Sequence, residues 1–156
     1  MRSVLLDTNL MLLLVVGRYN KAFIVRHKRT KAFCVDDYDL LIEVISKFDT
    51  LWITSHCMAE VSNLLRQTDI QRAKDLMFLF AKLSEAARES HIAKNIVFAD
   101  NNYLDLGVAD AGIVAKSKSV TCVLTEDLDL YLAISKTGRL VINFNHLRQE
   151  RLGIRY

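Results

Sequence analysis

Carboxylate side chains follow the ends of short apolar runs in this sequence. Asp7 comes directly after Val4–Leu6, and Asp127 follows Val120–Leu124 by three residues. Glu60 lies in the first turn or so of the helical stretch that comes after another apolar run. If these runs are parallel strands, their carboxyl ends meet at one edge of a sheet, where ligands gather. We therefore expect the three acids to lie close together.

A fourth acid, Asp110, opens a helical stretch that begins near Ala109. The residues three and four positions further on, Ile113 and Val114, are apolar, and side chains at this spacing share one face of a helix. The carboxylate is therefore expected on the apolar side of its helix rather than on the solvent side.

Each acid also has an ordinary structural explanation. Aspartate commonly caps helix N-termini, and Asp7, Asp110 and Asp127 all occur where helices are predicted to begin. Glu60 has the plain alternative of a solvent-exposed glutamate. Taken together, however, carboxylates at one sheet edge repel each other by about 1 to 4 kcal/mol per close pair. They would take up protons or move apart unless a cation lay among them.

Magnesium or manganese would remove this repulsion, because hard divalent ions prefer oxygen ligands. Magnesium is usually held by a few carboxylates plus waters, which leaves coordination positions open for a substrate. Such an ion polarises phosphoryl oxygens, lowers the pKa of the attacking water and stabilises the leaving oxygen. The acids therefore predict metal-assisted hydrolysis of phosphodiester bonds.

The elements that must position these acids are short apolar runs alternating with longer periodic stretches. Runs rich in Val, Ile and Leu predict buried strands, and the stretches between them predict helices. This order predicts an α/β fold with a largely parallel sheet that is covered on both faces. Gly107 is predicted to be a turn and Gly138 a helix end. The predicted strands are Ser3–Leu6, Leu51–Thr54, Val120–Leu124 and Leu140–Phe144, and the predicted helices are Thr8–Val16, Leu40–Lys47, His56–Gln67, Asp69–Glu89, Asp110–Lys118 and Leu128–Lys136.

Composition limits the class of protein. With 156 residues, 51% of them hydrophobic, and no proline, the chain is expected to form one domain over residues 1–156. No signal-peptide cleavage pattern follows the apolar N-terminus, and no run approaches the roughly 20 apolar residues that cross a bilayer. We expect a cytoplasmic protein with no membrane partner. Three separated cysteines without a C-x-x-C pair indicate buried thiols rather than a disulfide or a zinc site.

Positive charge is concentrated in one segment. The net charge is +3, yet residues 18–31 hold six Lys or Arg and no acid, so the rest of the chain is net negative. Tyr19 and Phe23 are interleaved with these cations, which attract phosphates while aromatic faces stack on bases. The segment is either a solvated surface or a place that binds RNA or a partner. Its basic residues are Arg18, Lys21, Arg26, Lys28, Arg29 and Lys31.

Four sequence segments resemble the PIN-domain family, in the family's order and over nearly the whole chain. Each is degenerate alone, but the four together are specific. They are LLDTNLML (Leu5–Leu12), MAEVSNLL (Met58–Leu65), LGVADAGIVA (Leu106–Ala115) and VLTEDLDL (Val123–Leu130). The resemblance implies a PIN-like three-layer α/β/α fold whose central, mostly parallel sheet has four to five strands. It also implies that the catalytic and metal-binding acids are Asp7, Glu60, Asp110 and Asp127, with Asn9 and Thr125 as supporting residues.

Among PIN proteins, the compact single-domain form is most similar to VapC-type toxins of toxin–antitoxin systems. The similarity implies a Mg²⁺- or Mn²⁺-dependent endoribonuclease, with RNA as substrate, homodimers, and a cognate antitoxin protein that blocks the site. Two alternatives stay open. One is a non-catalytic RNA-binding or protein-interaction module with the same fold. The other, a DNA-directed flap-type nuclease, is disfavoured because the chain lacks the extra helical regions of such enzymes.

The sequence departs from the family pattern in its last acidic segment. Leu130 stands where many relatives have an aromatic residue, and Asp129 competes with Asp127 as the last metal-binding acid. We favour Asp127 because it is nearer the strand end. The stretch Gly17–Asp39, which carries the basic residues, is longer than the compact toxins usually have. Asp105 is expected to be a turn residue before Gly107.

Two further features have plain explanations. The predicted helix Asp69–Glu89 is apolar nearly all round in its middle, which favours core packing first and a dimer interface second. The histidines show no metal-ligand spacing, so we expect each to be structural or on the surface rather than catalytic. They are His27, His56, His91 and His146.

Overall fold

The computed structural model describes residues 1–153 of the chain. Its central sheet has five strands in the order β3-β2-β1-β4-β5, and every neighbouring pair is parallel. This arrangement, flanked by helices, confirms the predicted α/β class and the central sheet of four to five strands. The strands are β1 (Ser3–Leu6), β2 (Thr50–Thr54), β3 (Arg88–Ser90), β4 (Cys122–Thr125) and β5 (Val141–Asn143).

Helices connect the strands, and each of the predicted helices corresponds to an observed one. The bounds differ most for α2, which begins five residues earlier than expected, and for α6, which begins seven residues earlier. Short 3-10 turns occur at Lys21–Phe23 and Ser117–Ser119. The helices are α1 (Thr8–Tyr19), α2 (Val35–Ile45), α3 (Ser55–Leu65), α4 (Ile70–Ala86), α5 (Lys94–Ala99), α6 (Tyr103–Lys116), α7 (Leu128–Ser135) and α8 (Phe144–Arg151).

Strand β3 and helices α5 and α8 are absent from the sequence prediction. Strand β3 consists of polar residues at the edge of the sheet and pairs only with β2, so no local apolar pattern marks it. Strand β5 ends at Asn143, earlier than expected, because the side chain of Asn143 caps α8 by accepting a hydrogen bond from the backbone N–H of Asn145 at 2.9 Å.

Two glycines interrupt or follow helices, in agreement with the turn predicted at Gly107 and the helix end predicted at Gly138. Gly107 has φ +82° and interrupts α6, and Gly138 has φ +76° just after α7. Both dihedrals lie in the left-handed region that glycine adopts without steric cost. The break at Gly107 comes three residues before Asp110, so that acid sits in the first turn of the second part of α6.

The core lies between the sheet and α1. Helix α1 is buried along most of its length, since it packs on the sheet and also contacts α2, α3 and α4. Full burial of each leucine in it stabilises the fold by about 2 kcal/mol. A smaller apolar cluster is formed by Ile92, by Val97 of α5 and by Ala111 of α6.

Helix α4 packs on the core through one face. Leu76 and Phe80 are buried, which confirms core packing, but Phe78 is 68% exposed, so the helix is not covered all round. No helix within residues 1–153 combines the length and apolar character needed to cross a membrane.

The three cysteines are free thiols. Cys57 and Cys122 are buried as expected, whereas Cys34 is exposed, because it stands at the N-cap of α2 at the protein surface.

Candidate carboxylate site

Asp7 lies between β1 and α1, and its buried carboxylate accepts three hydrogen bonds. Oδ1 accepts from the backbone N–H of Leu10 at 2.9 Å, which makes Asp7 the N-cap of α1. Oδ2 accepts from the hydroxyl of Thr125 and, at 3.0 Å, from the backbone N–H of Glu126. Burial outweighs these donors and raises the pKa of Asp7 to about 6.

Thr125 joins two of the predicted acids. The parallel pairing of β1 with β4 sets Leu6 beside Leu124, so the residues that follow each strand are also neighbours. The buried Thr125 hydroxyl donates to Asp7 and accepts a hydrogen bond from the backbone N–H of Asp127 at 3.0 Å. The threonine therefore supports the carboxylate of one acid and the backbone of the other.

Asp127 is the N-cap of α7. Its Oδ1 accepts from the backbone N–H of Leu130 at 2.9 Å, and the residue is exposed. The capping explanation is thus correct for Asp7 and Asp127. It does not apply to Asp110, because within residues 1–153 the Asp110 carboxylate accepts no hydrogen bond from a backbone N–H, although it lies in the first turn after the break at Gly107.

Asp110 is half-buried on α6, and the next residues on its face, Ile113 and Val114, are buried, as the spacing predicts. Burial is the largest cause that raises the pKa of Asp110 to about 7, followed by the negative charges of Asp127, Asp7 and Glu60. Asp7, Glu60 and Asp127 therefore lie within electrostatic reach of Asp110, although the four acids come from distant segments of the chain.

Glu60 lies on α3, facing the same region. It is the sixth residue of that helix, so it stands in the second turn rather than the first, and it is exposed. Glu60 and Asp110 border one cavity of about 460 Å³. Burial raises the pKa of the nearby Cys57 thiol to about 11, and the charges of Asp7 and Glu60 contribute to that rise.

Glu126 is a residue of this site that the sequence analysis missed. Its backbone N–H donates to Asp7, its carbonyl accepts from the side-chain amide of Asn145 at 3.1 Å, and its carboxylate accepts from Nδ2 of Asn9 at 2.7 Å. Asn9 therefore supports the site through Glu126 and makes no hydrogen bond to Asp7, Glu60, Asp110 or Asp127 within residues 1–153. The only sequence signal for Glu126 was its position between Thr125 and Asp127.

Asp129 and Asp105 border a different cavity, of about 480 Å³, which Lys136 also lines. Asp129 is not among the charges that raise the pKa of Asp110, whereas Asp127 is. Asp127, and not Asp129, therefore contributes to the electrostatics of Asp110. Asp105 is helical, in the first turn of α6, and not in the turn that was expected.

The basic segment, residues 18–31, is folded onto the protein. His27 is buried and its Nε2 lies 3.1 Å from the carbonyl oxygen of Leu65, while the Thr30 hydroxyl donates to the carbonyl of Ile24 at 2.7 Å. Lys21 pairs with Asp39 at 2.7 Å. The remaining predicted RNA-binding side chains are exposed: Arg18, Arg26, Lys28, Arg29 and Lys31.

The basic segment begins at the end of α1 opposite to the acids. Arg18 is eleven residues after Asp7, which corresponds to about 16 Å along a helix that rises 1.5 Å per residue. The structure therefore does not bring the first of the basic side chains into contact with the carboxylates.

The histidines differ in their surroundings. His27 is buried, and His91 and His146 are exposed, as expected of structural and surface residues. His56 is different, because it borders the cavity that Glu60 and Asp110 line. Its position is a second feature that the sequence analysis missed.

Metal binding has a clear geometric limit in this structure. Among the described residues, no group of three or more His, Cys, Asp or Glu side chains is arranged so that it could hold an ion as it stands.

No model of a known protein family matches this chain, and no curated protein matches it.

Proposed function

We propose that this chain is a PIN-like endoribonuclease that hydrolyses RNA phosphodiester bonds with Mg²⁺ or Mn²⁺. The observation that supports the proposal is the position of Asp110, half-buried on the wall of a cavity that Glu60 also lines, with a pKa that burial and then the charges of three other carboxylates raise to about 7. An accumulation of negative charge around a half-buried acid is unfavourable without a balancing cation. Strongly perturbed acids in a cleft are characteristic of functional sites.

The chemistry of the donor set fits a hard divalent cation. All four acids, Asp7, Glu60, Asp110 and Asp127, offer the oxygen ligands that Mg²⁺ and Mn²⁺ prefer. Asp7 is fixed by three donors and Asp127 by its cap on Leu130, whereas the exposed carboxylate of Glu60 makes no hydrogen bond within residues 1–153 and can move toward an ion. These four residues would hold the cation after a rearrangement of their side chains. When bound, the cation would polarise the phosphoryl group and activate the attacking water.

The protein's own residues would prepare this site in two ways. Thr125 and Glu126 keep the Asp7 carboxylate in one orientation, and Thr125 also holds the backbone of Asp127. Asp110, with a pKa near 7, would release its proton when a cation binds. Cation binding and proton release would therefore be coupled at neutral pH.

Substrate RNA would extend beyond the cleavage site onto the basic segment. The exposed cations there would contact phosphates several nucleotides from the bond that is cut, since the segment begins about 16 Å from Asp7 along α1. These contacts carry no base specificity and would mainly increase affinity.

A role as the toxin of a toxin–antitoxin pair follows from the sequence resemblance. We propose a homodimer, a cytoplasmic location, and an antitoxin that covers the carboxylates. A second purified protein encoded beside this one, added to the cleavage reaction, tests that role by inhibition.

The cleavage experiment itself uses purified protein and total cellular RNA, with Mg²⁺, with Mn²⁺ or with EDTA, followed by mapping of new RNA ends. New ends are expected only with a divalent ion and only with the unsubstituted protein, not with Asp7→Asn. RNA that is bound but not cut under any of these conditions would favour the non-catalytic module instead.

A further inference from the structure

His56 stands on the wall of the carboxylate cavity. It precedes Glu60 by four residues on α3, a spacing that puts both side chains on one face of the helix. Asp110, on α6, borders the same cavity of about 460 Å³. The other lining residues are aliphatic or glycine, so His56 has the only side-chain N–H in the lining of this cavity.

The two ring nitrogens of His56 have different surroundings. Nδ1 is buried and has no hydrogen-bond partner among residues 1–153. It faces α6, where a Cβ built on Gly112 would lie 3.4 Å away, and Ile92 lies beside the same point. Since Nδ1 is enclosed and His56 lines the cavity, we infer that the ring reaches the cavity through its other nitrogen, Nε2.

This difference determines where the ring proton sits. A neutral imidazole carries one N–H donor and one acceptor nitrogen. Buried N–H groups without an acceptor are rare in proteins, whereas acceptors with an unused lone pair are tolerated more often. The neutral ring therefore favours its proton on Nε2, where solvent or a ligand accepts it.

The same argument counts against two other roles for His56. A histidine that binds a metal through Nε2 donates Nδ1–H to a carboxylate, a carbonyl or a water. A general base that accepts a proton at Nε2 likewise needs its second N–H held by a partner. The niche formed by Gly112 and Ile92 offers Nδ1 no such acceptor.

We propose that His56 is a substrate-positioning residue whose Nε2–H donates a hydrogen bond to a phosphate oxygen of RNA bound in this cavity. The inference rests on the proposed function. Phosphate oxygens are the strongest acceptors that an RNA strand brings to a carboxylate–cation site, and a donor on the cavity wall fixes their position. The role is to bind the strand beside the acids rather than to hold the cation or to move a proton.

The test is steady-state cleavage of a short oligoribonucleotide by three variants. His56→Ala and His56→Phe remove the N–H, and the phenylalanine keeps the ring, so both should raise KM by about threefold to tenfold, the range for loss of one hydrogen bond. His56→Gln has a side-chain amide donor and should recover most of the affinity. The Mn²⁺ concentration for half-maximal rate should stay unchanged in all three.

A matched control is His91→Ala, which removes an exposed imidazole that does not line the cavity and should leave KM unchanged. Thermal melting of each variant separates a folding defect from a binding defect, and the glutamine and phenylalanine variants keep most of the volume of the side chain.

Three results would overturn the inference while leaving the nuclease proposal intact. They are an unchanged KM in His56→Ala, wild-type behaviour of His56→Phe, or a shifted Mn²⁺ requirement, which would make His56 a metal ligand. A wild-type protein that cuts no RNA with either ion overturns the proposed function and this inference together.

Discussion

The hydroxyl of Thr125 donates a hydrogen bond to Oδ2 of Asp7, although the two residues are 118 positions apart. The contact exists because β1 and β4 are parallel neighbours and both residues come at the carboxyl ends of these strands. Burial raises the pKa of Asp7, and this hydrogen bond lowers it. The register of the sheet therefore affects the electrostatics of the site.

Replacement of Thr125 by valine tests that link. Thr125→Val keeps the β-branched shape but leaves a buried carboxylate without one donor, so the free energy of unfolding at pH 8 should fall by about 1 to 3 kcal/mol. RNA cleavage at pH 7 should fall as well, because the pKa of Asp7 rises further. Urea unfolding measures the first effect, and Thr137→Val, outside the site, is the control. Equal stability of Thr125→Val and wild type would show that the contact is not formed in solution.

Asp7→Asn separates the structural role of Asp7 from its chemical role. Asparagine also caps helices well, so α1 should keep its N-terminus and the circular dichroism spectrum should not change. Removal of the buried charge is favourable above pH 7, but the amide nitrogen cannot accept the hydrogen bonds that Oδ2 receives from Thr125 and Glu126, so the two effects oppose each other and the melting temperature should change little. Cleavage of RNA should fall by more than about 100-fold, since removal of a single essential electrostatic group has effects of that size. Full activity in this variant would remove Asp7 from the site.

Much of the fold could be predicted from local pattern. Strand β1 and helices α1 and α7 combine apolar runs with an aspartate cap, so their beginnings are encoded within a few residues. Strand β3 could not be predicted, because its polar residues become a strand only by pairing with β2. Helix α8 depends on the cap by Asn143, which lies in what looked like the last part of a strand.

The residues of the candidate site also fall into two groups, those that sequence spacing predicts and those that only the tertiary fold brings to the site. Asp7 and Asp127 stand next to apolar runs, and Asp110 lies on an apolar helix face, so sequence spacing identifies them. Glu126 contributes through its backbone N–H, which any residue type would supply. His56 is distinguished by a niche against Gly112, and that contact between α3 and α6 is created only by the tertiary fold.

The raised pKa values of Asp7 and Asp110 predict how stability depends on pH without metal. Both acids bind protons more tightly in the folded state, with pKa values of about 6 and about 7 against 3.8 for the ordinary group. Their contribution is therefore present at low pH and is lost as pH rises from about 4 to 7. His27 acts in the opposite direction, because burial lowers its pKa, so the comparison must isolate one acid.

The isolating comparison is wild type against Asp110→Asn in EDTA, by thermal melting from pH 5 to pH 8. The variant should become the more stable of the two as pH rises, by about 1 to 2 kcal/mol at pH 8, after allowance for the partial exposure of this acid. A difference that does not change with pH, or one of opposite sign, would show that Asp110 has an ordinary pKa.

Divalent cations should offset the electrostatic cost of the ionised carboxylates at this site. At pH 8, millimolar Mn²⁺ or Mg²⁺ should raise the melting temperature of wild type, because ligand binding to the folded state adds stability. The rise should be smaller at pH 5.5, where protons compete for Asp7 and Asp110. Glu60→Gln should reduce the effect, while Glu43→Gln, an exposed change on α2, should not. Equal responses to Mn²⁺ in both variants would mean that Glu60 does not bind the ion.

Charge reversal in the basic segment tests whether RNA crosses it. The triple change Arg26→Glu, Lys28→Glu and Arg29→Glu should weaken RNA binding by more than about tenfold. It should also reduce the slope of log affinity against log salt concentration by about 2, because each phosphate contact on a single strand contributes about 0.7 to that slope. Filter binding in an Asp7→Asn background, between low and high salt, measures both without cleavage. The matched control reverses three exposed lysines elsewhere and alters net charge equally: Lys47, Lys94 and Lys118. If the two triple variants bind RNA alike, the segment acts through net charge alone and contains no RNA path.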